Sequence, residues 1–325
     1  MLYIPPALAP PLLFNSIVLL ASLGIIAFSG YYFVGALTSY ARKLGMSNYF
    51  IGMVVVAVAT SSPDIATSIV GLLAGKPEIM SGVVLGGLAL DLAFLNGWFA
   101  MFNKKIKLET DAIKGHEYSI LGLLLLPFIL MLDGEITRTE GLAMVLSFFI
   151  YLMLIWHHEQ ESGKLKKWVP VKSLWQDALV FLFALAAMLL AARYAVFSAI
   201  NLSATLEVPI YILSITVFAF ANALPDMLAG TIAILKGEGG EIGFGESIGT
   251  TMIEVNLFTG IVAIIQPMHF NLFATLVGIL ALICSAAYFL TILRKGVILR
   301  SQGFVFIGIY AAYIIIEIGR YLFWG

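Results

Sequence analysis

Apolar residues along this chain come in windows of about 20, separated by charged or Gly/Pro-marked breaks. Ten such windows lie near 12–36, 49–73, 78–101, 117–132, 139–156, 173–199, 208–235, 243–266, 270–293 and 302–324. A helix of about 20 residues crosses a hydrocarbon core of about 30 Å. The pattern therefore predicts an all-α protein of about ten transmembrane helices and leaves no room for a separate soluble domain.

The cations sort by connection. Arg42 and Lys43 follow the first window; Lys104, Lys105, Lys107 and Lys114 the third; Lys164, Lys166, Lys167 and Lys172 the fifth; Lys236 the seventh; Arg294, Lys295 and Arg300 the ninth. Thus 14 of the 18 Lys and Arg fall on one side, leaving Lys76, Arg138, Arg193 and Arg320. The positive-inside rule makes that side cytoplasmic and both termini extracytoplasmic. Five helices followed by five must place the second set upside down, the inverted-repeat plan of secondary transporters. The expected layout is a first five-helix repeat over 1–157, a short cytoplasmic linker over 158–172 and a second, inverted repeat over 173–325.

Composition narrows the surroundings. Of 325 residues, 61% are hydrophobic and 11% charged, too few charges to cover a surface in water. The net charge of −1 and the lack of a basic, aromatic-interleaved stretch exclude nucleic acid as a partner. The single cysteine, Cys284, builds neither a disulfide nor a thiolate metal site and reads as a small packing residue. Residues 1–11 are proline-rich and hold no Lys or Arg, unlike a secretory leader, and read as mature protein.

The two halves match around a Pro-Asp pair. VVAVATSSPDIATSIVGLLAG from Val55 aligns with VFAFANALPDMLAGTIAILKG from Val217, pairing Pro63 with Pro225 and Asp64 with Asp226. After a one-residue slip, GVVLGGLALDLAFLNG from Gly82 aligns with GESIGTTMIEVNLFTG from Gly245, setting Asp91 opposite Glu254. These stretches define motifs over 50–100 and 210–262.

A proline inside a helix removes an N–H and clashes with the carbonyl four residues back, so Pro63 and Pro225 predict discontinuous helices with loosened carbonyls near Ala59 and Ala221. Such carbonyls are tolerated at bilayer depth only where they face protein, water or an ion. An acid in a span costs several kcal/mol, about 2.5–3.5 on insertion scales. Asp64, Asp91, Asp226 and Glu254 are therefore candidate ligands, with no basic residue expected in the interior of any span to pair with them structurally. Carboxylates beside free carbonyls make an oxygen site suited to hard cations such as Ca²⁺, and thiolate and imidazole are absent there, which argues against zinc or copper. Four acids at one locus cannot all stay ionised unless cations hold them, so divalent ions, monovalent ions and protons must compete, as an antiporter requires.

Other polar residues have simpler readings. Glu317 lies three residues before Arg320 and predicts a local ion pair. Glu246 reads as solvated or part of a vestibule, His157 and His158 as interfacial, and Tyr32, Trp156 and Trp324 as interfacial anchors.

The run GYYFVGALTSYARKLGMSNYFIGMVVVAVATSSPD from Gly30, with its second-half counterpart, resembles the calcium/cation antiporter superfamily, whose sodium/calcium exchangers carry two inverted α-repeats. The resemblance implies that Asp64 and Asp226 are the principal calcium ligands, that Asp91 and Glu254 complete the site, and that Thr60, Ser61 and Thr250 match sodium-site hydroxyls. The chain departs from the family pattern at Gly87, where a hydroxyl is usual, and at Asn222 and Ala223, where Thr-Ser is usual. Asn222 is kept as a candidate ligand.

The expectation is thus a monomeric antiporter of a prokaryotic cell membrane, without a tightly bound cofactor, exchanging Ca²⁺ or a similar divalent cation for Na⁺ or H⁺. Two rivals remain at this stage. One is an intramembrane aspartyl protease with Asp64 and Asp226 as its dyad, although the presenilin-type Gly-x-Gly-Asp motif is missing. The other is a passive cation channel, or a non-transporting sensor, of the same fold.

Overall fold

The computed structural model describes residues 12–46, 51–102, 105–107, 117–161, 171–235, 249–265, 267–269 and 272–324. In chain order these form α1 (Leu12–Lys43), α2 (51–73), α3 (Pro77–Met101), β1 (Lys105–Lys107), α4 (Glu117–Leu130), β2 (Glu135–Ile136), α5 (Arg138–Glu161), α6 (Val171–Leu206), α7 (210–235), α8 (Gly249–Ile265), β3 (Met268–His269), α9 (Leu272–Lys295), β4 (Val297–Leu299) and α10 (Arg300–Trp324). Among the described residues six stretches, within α1, α2, α3, α6, α7 and α10, are long and apolar enough to cross a membrane, and shorter apolar helices lie in α4, α8 and α9. Large apolar side chains such as Leu13, Leu20, Phe183 and Ile315 face outward, where only lipid could match them.

α1 and α6 overrun their expected windows, with 32 and 36 residues. Rising about 1.5 Å per residue, each exceeds the hydrocarbon thickness and must tilt or project. They lie against each other over their length through Leu19, Leu23, Ile26 and Phe33 of α1 and Met188, Ala192, Ala195 and Ala199 of α6. Lipid tails are as apolar as leucine, so such pairing depends on van der Waals packing, here of large α1 side chains onto the small alanines of α6, rather than on expulsion of water. Asn15 accepts from Asn201 at 3.3 Å near one end, and Lys43 meets Asp177 at 2.6 Å near the other. The Lys43 charge sits in the last turn of α1, where a helix C-terminus favours a cation.

Elements recur along the chain at the spacing that separates Pro63 from Pro225. The π-helical turn Ile51–Val56, the α-turn Ala57–Thr60 and the helix Ser62–Leu73 have counterparts in Ser214–Phe218, Ala219–Asn222 and Leu224–Leu235. In α3 and α8 the π-helical turns Leu90–Leu95 and Ile253–Phe258 match with the one-residue slip. Left-handed backbone follows the same spacing: Gly45 (φ 81°) with Glu207 (φ 55°), and Gly134 (φ 88°) with Gly296 (φ 62°). Gly134 and Gly296 each turn the chain into a short strand, and no Cβ hinders them there.

Close helix crossings pair up as well. A Cβ built on Gly97 of α3 would lie 2.7 Å from the carbonyl oxygen of Gly303 in α10, and one on Gly260 of α8 would lie 2.7 Å from that of Gly141 in α5. The two crossings bring backbone onto backbone, as small residues allow in membrane bundles. β1 pairs antiparallel with β4, Ile106 opposite Ile298, and β2 with β3, Ile136 opposite Met268. These strands tie the α3–α4 connection to that between α9 and α10, and the α4–α5 connection to that between α8 and α9.

Two expectations are corrected. Arg193 lies well inside α6, on an exposed face, so one cation does occupy the interior of a span. Its long side chain can reach toward an interface, and it does not face the acids of the core. Cys284 is exposed on α9 rather than packed, because its helix turns that position away from its neighbours. The expected pair forms between Arg320 Nη2 and Glu317 Oε2 at 3.0 Å, with the Glu317 side chain fully buried. Tyr32 and Trp156 are exposed. Glu246 and the start of the eighth predicted span lie outside the described residues, as do the side chains of His157, His158 and Trp324.

Candidate functional site

The prolines shape the site first. α2 is interrupted at a single residue, Ser61 (φ −66°, ψ −11°), and α7 at Ala223 (φ −78°, ψ −6°). A regular helix holds ψ at about −42°. Each break is thus a tight step rather than an unwound stretch. The helix then restarts with its proline at the second position, where the missing N–H costs nothing. Asp64 and Asp226 fall in the first turns of the restarted helices. The free N–H groups and positive dipole end of a helix N-terminus stabilise a carboxylate there, which offsets part of the cost of holding it at bilayer depth.

The π-helical turns place the second pair of acids. Asp91 and Glu254 are each the second residue of such a turn, in α3 and α8. A π turn carries an extra residue, and such turns collect at functional sites. All four acids are buried, with 5% or less of any of them exposed. Each lies within electrostatic reach of the others.

The two halves interlock at this point. Asn222 Nδ2 of α7 donates to Asp64 Oδ1 of α2 at 3.0 Å and to Thr67 Oγ1 at 3.0 Å. Thr60 Oγ1 of α2 and Thr250 Oγ1 of α8 lie 3.2 Å apart. A Cβ built on Gly87 of α3 would come within 3.3 Å of Glu254 Oε2 and 3.7 Å of Asp64 Oδ1, so the glycine leaves the room in which those two carboxyls sit side by side. Among the described residues, the Asn222 side-chain carbonyl oxygen and the Ser68 hydroxyl are buried without a hydrogen-bond partner. A buried polar atom left so is costly unless something else satisfies it.

Of the eight residues the sequence points to, Asp64, Asp91, Asp226, Glu254, Asn222, Thr60 and Thr250 meet here. Ser61 is buried in the adjoining break, but its hydroxyl is engaged by the Ala57 carbonyl at 2.9 Å. Thr67 and Gly87 also belong to the site, and sequence reasoning does not single them out as ligands. Thr67 follows Asp64 by about one helical turn, a spacing that sets it on the same side of α2. Among the described residues no three His, Cys, Asp or Glu side chains form a ready-made metal centre.

Comparison with known proteins leads to one family. The family described as sodium/calcium exchanger protein matches residues 14–157 and 177–319, most of the chain. The protein belongs to this family. It is an integral membrane protein, and its activity is secondary active cation exchange. Among relatives of this exchanger is a putative antiporter, CaxA, of Alkalimonas amylolytica, 28% identical over 79% of this chain and 82% of its own. Another is the sodium/calcium exchanger MaX1 of Methanosarcina acetivorans, 24% identical over 93% of this chain and 98% of its own. The fold matches that of the sodium-calcium exchanger NCX_Mj, solved after soaking with 2.5 mM Na⁺ and 10 mM Sr²⁺. The TM-score is 0.72 at 21% identity, over 93% of this chain and 98% of that one. The family is one of transporters, not enzymes.

Proposed function

We propose that the protein carries Ca²⁺, or a similar divalent cation, in exchange for Na⁺ or H⁺ by alternating access, with Asp64, Asp226, Asp91 and Glu254 as the principal ligands. The observation that carries this reading is the burial of four acids together at mirrored positions. Carboxylates buried within electrostatic reach of one another repel when ionised, and a mobile cation that draws them together relieves that repulsion. Hard oxygens from Asp64 and Asp226, and from Asp91 and Glu254, would close around the ion, with Thr60, Thr250 and the Asn222 carbonyl oxygen as neutral ligands. The Ser61 hydroxyl would serve once it leaves Ala57. Because one set of oxygens serves both ions, binding of one excludes the other, and that exclusion couples the two fluxes.

In this reading residues 1–157 and 173–325 are two inverted five-helix repeats joined by a cytoplasmic linker over 158–172, in a monomer of a prokaryotic cell membrane with both termini extracytoplasmic. The recurrence of breaks, π turns and left-handed residues at one spacing supports the repeat. Ten crossings put the α3–α4 and α9–α10 connections on one side and the α4–α5 and α8–α9 connections on the other. The two strand pairings agree with that parity.

The test is uptake into proteoliposomes. With the calcium gradient held constant, an imposed outward sodium or proton gradient should accelerate calcium entry severalfold, and the ion that does so is the coupling ion. Entry that follows the calcium gradient alone, whichever counter-ion is imposed, would point to a channel instead.

A further inference from the structure

The π-helical turns that carry the second pair of acids are held by side chains of their own. Five residues after Asp91 stands Asn96, and five residues after Glu254 stands Thr259. Both are fully buried, and each is the first residue beyond its π turn. Thr259 Oγ1 donates to the main-chain carbonyl oxygen of Glu254 at 2.7 Å, and the Thr259 N–H bonds the same oxygen. Asn96 Nδ2 donates to the main-chain carbonyl oxygen of Asp91 at 3.3 Å and to that of Leu92 at 3.0 Å, while the Asn96 N–H turns to Ala93. In each half a polar side chain thus grips the main chain of the acid itself. The two positions are paired by the same one-residue slip that pairs Asp91 with Glu254.

These contacts have a physical reason. In a regular helix the carbonyl of each residue accepts from the N–H four residues on, whereas a π turn moves the partner to the fifth and displaces the ladder by one residue. At bilayer depth no water repairs displaced bonds, and polar side chains do so instead. Each residue turns a helix by about 100°, so a return to regular winding would swing the acid by about that angle relative to the stretch that follows it. That stretch is pinned. Gly97 and Gly260, the residues just after Asn96 and Thr259, sit where a Cβ would come within 2.7 Å of the carbonyl oxygens of Gly303 and Gly141. The rotation would therefore fall on Asp91 or Glu254.

We infer that Asn96 and Thr259 are positioning residues that lock the π-helical register of α3 and α8 and so aim Asp91 and Glu254 into the ion site. Their donors are spent on main-chain carbonyls, so neither acts as a ligand. One half uses an amide and the other a hydroxyl, and what the halves share is the hydrogen bond to the acid's own carbonyl. The inference rests on the reading of Asp91 and Glu254 as ligands given above, and it assigns the residues that orient them.

Valine at Thr259 keeps the branched shape and removes the hydroxyl, and leucine at Asn96 likewise removes the amide. Equilibrium calcium binding to the purified protein and counter-ion-driven uptake into proteoliposomes are measured side by side. Thr259→Val and Asn96→Leu are each expected to raise the half-saturating calcium concentration at least about fivefold while maximal flux stays within about twofold. Thr259→Ser keeps a donor, and Asn96→Thr brings in the hydroxyl that the other half uses; both should stay within about twofold of wild type in binding and flux. Thr205→Val is the control. Thr205 of α6 also bonds back to a main-chain carbonyl, that of Asn201 at 2.8 Å, but on an exposed face away from the acids, and its loss should change neither quantity.

A merely structural role predicts the opposite split, with maximal flux falling as folded protein is lost and the half-saturating concentration unmoved. The inference is overturned by that split, by unchanged affinity in both variants without a donor, or by a loss in Thr259→Ser equal to that in Thr259→Val. If the variants without a donor are not recovered folded, Thr259→Cys against Thr259→Ser decides. A thiol is a weak donor, so the cysteine variant should bind calcium severalfold more weakly than the serine variant, and equal affinities overturn the inference. Wild-type protein that binds calcium without counter-ion-driven uptake would overturn the exchange reading alone, since the affinities still decide the roles of Asn96 and Thr259. Wild-type protein that binds no calcium would overturn both.

Discussion

Replacing Asp64 and Asp226 together by asparagine is expected to reduce counter-ion-driven calcium uptake at least about a hundredfold. Asparagine keeps the size of the side chain, so the two breaks and the contact between Asn222 and Thr67 are retained while both negative charges in the first turns of the restarted helices are lost. The interaction of one carboxylate with a bound cation at about 4 Å is worth about 4 kcal/mol at an effective dielectric constant of about 20, for unit charges. Losing about 2.7 kcal/mol of binding already gives a factor of about 100. Asp91 and Glu254 remain in the double variant and hold some positive charge, which is why binding weakens severely without the fold collapsing. Radioactive calcium uptake into proteoliposomes, alongside size-exclusion chromatography of the variant, reads both quantities. Uptake above about a tenth of the wild-type rate would remove these two acids from the ligand set.

The second large effect concerns stability. Leucine at Gly260 is expected to lower the thermal midpoint of the detergent-solubilised protein by at least about 5 °C, an amount that corresponds to roughly 1–2 kcal/mol in a domain of moderate size. The Cβ alone would meet the Gly141 carbonyl oxygen at 2.7 Å and the Val145 side chain at 2.9 Å, so α5 and α8 must separate. Backbone cannot move aside as a flexible side chain would, and overpacking of this kind costs about 1–3 kcal/mol even where side chains can yield. Leucine at Gly308 of α10 is the matched control, since nothing lies within 4 Å of its Cβ position. A midpoint shift no greater than that of Gly308→Leu would show that α5 and α8 are not held at backbone contact.

The acids are legible in the sequence because lipid makes them conspicuous. Asp64 and Asp226 stand out in apolar windows, each after a proline, and Asp91 and Glu254 follow once the halves are aligned. Asn222 is legible as a departure, at a place where a hydroxyl is usual. The π-helical turns that carry Asp91 and Glu254 are not, because an extra residue per turn leaves no mark in a uniformly apolar stretch. The room left by Gly87 and the Gly97–Gly303 and Gly141–Gly260 crossings are hidden for another reason. A glycine in a membrane helix is common, and its importance depends on which distant backbone or side chain passes it. Arg193 and Cys284 show the opposite error. The mean character of a window misplaces both, since exposure is decided by the face of the helix on which a residue falls.

The short strand pairs bear on how the molecule is completed. β1 waits for a partner at Val297–Leu299, most of the chain away, and β2 for one at Met268–His269. The first of these ladders cannot zip until the stretch between the ninth and tenth helices has left the ribosome, nor the second until the eighth helix has. Hairpin-by-hairpin insertion can therefore thread segment after segment across the bilayer and still leave both ends of the bundle unfastened. Closing such distant contacts is slow compared with local helix formation. A nascent chain halted just before residue 297 should thus remain digestible by protease at Lys105–Lys107, whereas the released protein resists there.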